Sequence, residues 1–295
     1  MKKIYYITAV FATLFLVGCG DGIDLPGVNV ETDLNKIPLP DNNVNLEQVE
    51  LKPSTEPMLH EGLHTEEDFQ RIRDKKAAGE EPWISAYQLL VESQFSQKTA
   101  DTYPTEWIKR GVSGDENYMN AARGATIVYQ QALRWKIEQD DEYAAKAVEN
   151  LNKWVQTCVG VTGNTNLSLA AGLYGYEFAI AGELLRDYGG WDRADFAAFQ
   201  NWLLKVFYPA NDDFLKRHHD TNALHYWANW CLCNIAAKMA IGIVTDRRDI
   251  YNEGIAHLQT GDTNGRLRRA IYHDYAPDYN LSLIHISEPT RPLYI

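Results

Sequence analysis

Residues 167–207 read LSLAAGLYGYEFAIAGELLRDYGGWDRADFAAFQNWLLKVF. Small and apolar side chains recur through Leu167 to Tyr188 at the period of a buried helix. Gly189-Gly190 stops that helix, because glycine serves as a helix stop. Trp191-Asp192 opens a second helix through Phe196, Phe199, Trp202 and Phe207, and Pro209 ends it. Two long helices on a short turn form an antiparallel hairpin. The same pattern flanks it on both sides. Tyr118 to Ile137 carries Ala121, Ala125, Val128, Ala132 and Trp135, turns at Gln139-Asp140-Asp141, and returns as Tyr143 to Val155. Leu224 to Val244 turns at Thr245-Asp246 and returns from Arg248 to Leu258. The turns fall near 140, 190 and 246, a step of roughly 50 residues. The expected class is all-α. Such hairpins can close into an α/α toroid with a cleft at one rim. An open superhelix of protein-binding repeats is the other geometry, and aromatic-rich, polar loops weigh against it.

Ahead of the hairpins, Thr65 caps a helix through Phe69, Ile72 and Lys76, with Glu67 and Asp68 in its first turn. Pro82-Trp83 opens another. Residues 1–19 pair a basic start, Lys2-Lys3, with an apolar run too short to span a bilayer, then Leu16-Val17-Gly18-Cys19. This is the pattern of a bacterial lipoprotein signal, with Cys19 the lipidated residue. Residues 20–57, rich in Pro, Asn, Asp and Gly, form a flexible tether, with a short strand expected near Val44 to Leu51. Residues 58–280 hold the helical domain. Residues 281–295 resemble translated sequencing-adapter read-through and are expected to carry no function. The implied location is the periplasm or cell surface of a Gram-negative bacterium, at the outer membrane.

The 295 residues are 45% apolar, enough for a substantial core, and the net charge is -12. Removing Lys2 and Lys3 takes the charge from -12 to -14. A globally acidic surface argues against nucleic acid. Membrane contact is expected through the lipid alone, and the protein is expected to be a monomer. Beyond Cys19, three cysteines remain: Cys158, Cys231 and Cys233. They have no zinc spacing and read as buried free thiols.

Three places carry chemistry. Tyr103-Pro104-Thr105-Glu106-Trp107 with Arg110 forms a loop in which Trp107 either stacks on a sugar or packs the loop. In Gly160-Val161-Thr162-Gly163-Asn164-Thr165-Asn166, Asn164 and Asn166 either cap the next helix or bind hydroxyls. The third is Arg217-His218-His219-Asp220, followed by Thr221-Asn222-Ala223-Leu224-His225-Tyr226-Trp227-Ala228-Asn229-Trp230. That run reads as a helix capped by Asp220 or Thr221. Asn222, Tyr226, Asn229 and Cys233 would then share one face. Amides, imidazoles and large rings on one wall suit carbohydrate: His219, Tyr226, Trp227, Asn229 and Trp230 as binding residues, Asn222 and His225 nearer the chemistry. Asn264-Gly265-Arg266-Leu267-Arg268-Arg269-Ala270-Ile271-Tyr272-His273 then supplies an anion site and a tyrosine, or a solvated helix face.

Three phrases, Leu63-His64-Thr65-Glu66-Glu67-Asp68-Phe69, Asn222 to Trp230, and Arg269 to Tyr275, resemble the alginate lyase superfamily of toroidal polysaccharide lyases. The likeness spans roughly Leu59 to Tyr275. It implies an incomplete α/α toroid and β-elimination on a uronate polymer such as alginate, glucuronan or a glycosaminoglycan. The family motif Asn-Asn-His-x-Tyr-Trp-Ala-Ala-Trp falls on Asn222 to Trp230 with Ala223 and Leu224 in place of its second Asn and its His, and His225 displaced by one. The resemblance implies Tyr272 as the family tyrosine, with Arg266 as its arginine and Arg269 beside it.

β-elimination removes the weakly acidic C5 proton of a uronate and expels the 4-O-linked sugar. Asn222, with His225 or Arg266, can hold the carboxylate and the developing enolate. Tyr272 or His225 can act as the base. No metal or other cofactor is required. A hydrolase would need two carboxylates about 5 or 9 Å apart, for which Glu106 and Asp220 are candidates. A lipid-anchored glycan-binding protein would keep the aromatic platform and dispense with Tyr272 beside Arg266.

Overall fold

The computed structural model describes Met58, His60 and residues 62–272. The signal peptide with Cys19, the tether, the strand near Val44 to Leu51 and the adapter-like tail lie outside the described residues. Ten α-helices are described: α1 (Glu66–Ala77), α2 (Trp83–Glu92), α3 (Tyr118–Glu138), α4 (Asp141–Thr157), α5 (Asn166–Leu185), α6 (Arg193–Val206), α7 (Tyr208–Arg217), α8 (Ala228–Val244), α9 (Arg248–Thr260) and α10 (Leu267–Tyr272). Two short strands, β1 (Trp107–Arg110) and β2 (Gly160–Gly163), pair in parallel, with Trp107 opposite Gly160 and Arg110 opposite Gly163.

The chain is predominantly helical and its helices pack as repeated hairpins. The turns are where the sequence places them. Gln139 takes a left-handed conformation to end α3, and Asp140 caps α4 by accepting from the Glu142 N–H. Asp192 caps α6 in the same way through Ala194. Thr65 and Asp68 form a reciprocal capping box on α1.

The first helices of the three hairpins pack in the order α3, α5, α8, and α4, α6 and α9 pack against them. α5 and α8 run parallel and level. Near their starts a Cβ on Gly172 would stand 2.5 Å from the Cys233 sulfur, so only glycine admits this approach. At their ends Arg186 donates to the Val244 carbonyl at 2.7 Å. The core is aromatic. Phe178, fully buried, lies 5.4 Å from Trp154, 5.2 Å from Trp202 and 6.1 Å from Phe207, ring centre to ring centre. Cys158, Cys231 and Cys233 are free and buried.

Two features depart from expectation. Pro209 follows the end of α6 at Val206, as expected, but a further helix that was not expected begins there. Pro209 sits in the first turn of α7, where a missing N–H removes no intrahelical bond. The helix expected from Leu224 begins only at Ala228. Residues 221–227 are turn and bend.

Candidate functional site

The parallel pairing of β1 with β2 joins two of the three sequence regions that carry chemistry, although they stand about 50 residues apart. The strand pair delivers the chain directly into α5. Asn164, exposed, accepts from the Asn166 N–H and from Asn166 Nδ2, both at 2.9 Å, a side-chain turn just ahead of the cap residue Thr165, which itself makes no side-chain cap bond. Its amide also packs on the Gly111 backbone. Trp107 keeps 43% of its surface exposed, and its ring lies over Gly160, where a Cβ would meet it at 2.5 Å.

The next link is His219, whose Nε2 lies 3.1 Å from Ser168 Oγ in the first turn of α5. His219 belongs to an unusual turn. His218, His219 and Asp220 have φ of 49°, 53° and 60°, three successive non-glycine residues in the left-handed region. Each costs on the order of 1–2 kcal/mol. Strain of this kind persists where the surroundings over-determine it. Here His218 is buried, 4.9 Å from the Phe214 ring, with Nε2 3.7 Å from Cys231 Sγ. Its carbonyl accepts from the Thr221 hydroxyl at 2.6 Å. Burial, and then the neighbouring His219, hold the His218 imidazole below its usual range.

The turn leads into the Asn222 to Trp227 loop. Asn222 does not stand on a helix face. Its Oδ1 accepts from the Leu224 N–H at 2.8 Å and its carbonyl from the His225 N–H at 3.0 Å. That side-chain turn competes with helix formation and explains the late start of α8. Neither Asp220 nor Thr221 caps α8; Trp227 occupies the cap position without a side-chain bond. Asn222, Tyr226, Asn229 and Cys233 therefore share no helical stripe. Of the four, Asn229 and Cys233 alone lie in α8. Asn222, His225, Trp227 and Asn229 are exposed. The Tyr226 ring lies 4.9 Å from Trp230, 5.7 Å from His219, 5.0 Å from His225 and 5.1 Å from Phe214. Packing of aromatic rings replaces the expected helical periodicity as the device that groups these residues.

The C-terminal arginine run is brought to this loop by a residue that sequence reasoning passed over. Asn264 is buried, and its Nδ2 donates to the Leu224 carbonyl at 3.0 Å and the Tyr226 carbonyl at 2.8 Å. One amide thus clasps the Asn222 loop to the turn that carries Arg266. Only the neighbouring Gly265, marking a turn, could have flagged it. Arg269 donates to the Asp262 and Thr263 carbonyls, bracing that same turn. Tyr272 closes α10. Its side chain lies outside the described residues. Trp107 stands apart: among the described residues no ring or hydrogen-bond contact joins it to the Tyr226 cluster. Asp220, a candidate carboxylate for hydrolysis, is paired with Arg217 at 3.1 Å. Among the described residues no group of three or more His, Cys, Asp or Glu side chains is arranged to hold a metal, and no helix is long and apolar enough to cross a membrane.

Fold and rim together define a class: a helical-hairpin protein with one end dressed in amides, imidazoles and aromatic rings, as carbohydrate-active proteins have. The family model for alginate lyase matches residues 72–270, and the chain belongs to that family. A search of curated proteins gives no match.

Proposed function

We propose that the protein is a polysaccharide lyase that cleaves a uronate-containing polymer, such as alginate, glucuronan or a glycosaminoglycan-like chain, by β-elimination. Family membership supports lyase activity in general. The observation that carries the finer reading is the Asn264 clasp. It ties the loop of Asn222 and His225 to the segment that runs through Arg266 to Tyr272.

In this reading the uronate carboxylate is held by the Asn222 amide with His225 or Arg266. The local turn occupies Asn222 Oδ1 and fixes the side chain. Its Nδ2 points the remaining donor at substrate. Charge that builds on the carboxylate as the C5 proton leaves is stabilised there, in the transition state more than in the ground state. The Tyr272 hydroxyl takes the proton from a position about 3 Å away and returns one to the leaving oxygen. His225 is the second candidate for the base. Tyr226, Trp227 and Trp230 give the sugar rings flat surfaces, and His219, Asn164, Asn166 and Asn229 reach hydroxyls. The hairpins continue as an incomplete α/α toroid, and the protein acts outside the cytoplasm on a lipid anchor at Cys19.

The test is incubation with alginate, glucuronan and glycosaminoglycans, followed by ultraviolet absorbance of the unsaturated uronate product. Absorbance with one of them is expected. A hydrolase or a binding protein would give none.

A further inference from the structure

We propose that Arg110 is an anion-recognition residue: it seats a carboxylate of the polysaccharide and makes this cleft prefer uronate to neutral polymer. The inference rests on the lyase reading for its substrate class and on separate observations for its residue.

Strand β1 sets the direction. Ile108 is fully buried and Trp107 exposed, and alternation along the strand turns Arg110 to the Ile108 side. The guanidinium lies 4.7 Å from the centre of the Tyr118 ring at the start of α3. Burial pushes the Tyr174 phenol of α5 up to about 12, and Arg110 works against that shift. It acts in the same sense on the buried Cys233 thiol of α8, which is raised. Strand β1 packs against α3 and α5, so Arg110 sits between those helices, next to Gly111, on which Asn164 packs.

Two other cations of the candidate regions are occupied. Lys109, one residue away, pairs with Asp115 at 2.5 Å. Arg269 is spent on two backbone carbonyls. Arg110 has no carboxylate partner among the described residues, and its Nη1 is buried with no hydrogen-bond acceptor. Buried donors are nearly always satisfied, so an orphan guanidinium nitrogen points to an acceptor that comes with the ligand. Arg110 as a whole is only half-buried, so a small shift of the side chain brings the guanidinium to the surface. The ring beneath it orients the planar fork without neutralising it. A planar carboxylate with two oxygens is the matching group.

This role differs from holding the reacting enolate, and it predicts a loss mainly in ground-state binding. On the cleaved polyuronate, Arg110→Gln should raise KM about tenfold and lower kcat far less, with Arg110→Lys recovering part of the loss. The preference for polyuronate over the same polymer with its carboxyls reduced should shrink by about the same factor. On the parent protein, titration with sodium glucuronate should shift the Arg110 side-chain NMR signals, and glucose should not. A KM for Arg110→Gln within about twofold of the parent overturns the proposal. So do Arg110 signals that ignore glucuronate, a result that needs no variant to fold. If the parent yields no unsaturated product from any polyuronate, the lyase reading fails. The glucuronate titration then decides Arg110 alone.

Discussion

The centre of the hairpin stack and its rim are both built on aromatic rings, to opposite ends. Around Phe178 the rings of Trp154, Trp202 and Phe207 are buried, and apart from Phe207, at the junction of α6 and α7, the backbone is regular helix. Around Tyr226 the rings alternate with imidazoles and the backbone runs through three left-handed residues into a turn. The first region spends its aromatic surface on stability. The second fixes a shape that regular helix cannot supply and leaves Asn222, His225 and Trp227 facing water.

That contrast breaks most sharply at Phe178. Truncation to alanine removes a fully buried ring and should cost about 3–5 kcal/mol in urea denaturation. A cost near 1 kcal/mol would mean that the core does not close on this residue. Asn264→Ala tests the rim. Loss of two bonds from a buried amide should cost roughly 1–3 kcal/mol. Because the clasp positions the Asn222 loop, turnover should fall more than the stability loss explains. Equal losses in turnover and stability would reduce Asn264 to a structural residue.

Glu177 sharpens the comparison from inside the stack. Its carboxyl sits on α5, accepts from the Thr126 hydroxyl at 3.0 Å, and is pushed by burial from 4.5 up to about 7. The folded form therefore keeps a proton that the unfolded chain gives up at lower pH. Stability falls as pH rises from 4.5 to about 7 and stays reduced above it. Glu177→Gln should stabilise the protein at about pH 8 by roughly 1–3 kcal/mol and at about pH 5 by little. An equal gain at both pH values would contradict the assignment.

The same contrast marks how far the sequence can be read. The hairpins were legible because buried helices repeat on their own period, and Thr65, Asp140 and Asp192 announce helix starts by their cap chemistry. Helix α7 was hidden because Pro209 signals a stop in sequence yet fits the first turn of a new helix. Asn222 to Trp227 carried helical spacing but folds as a turn, since the Asn222 side chain captures the Leu224 N–H. The candidate residues were chosen by type. Their grouping was not legible, because it depends on the β1–β2 pairing, the His219–Ser168 contact and the Asn264 clasp, all distant in sequence.

The central claim is that Asn222 stabilises charge on a uronate as its ring proton leaves. Its most direct test is the rate of unsaturated-product absorbance from the preferred polyuronate, measured for the parent protein and Asn222→Ala. An exposed side chain that only completes a local turn should change the melting temperature little. Loss of one well-placed donor costs about 3 kcal/mol in the transition state, so turnover should fall roughly 100-fold. Turnover within about twofold of the parent would contradict the account.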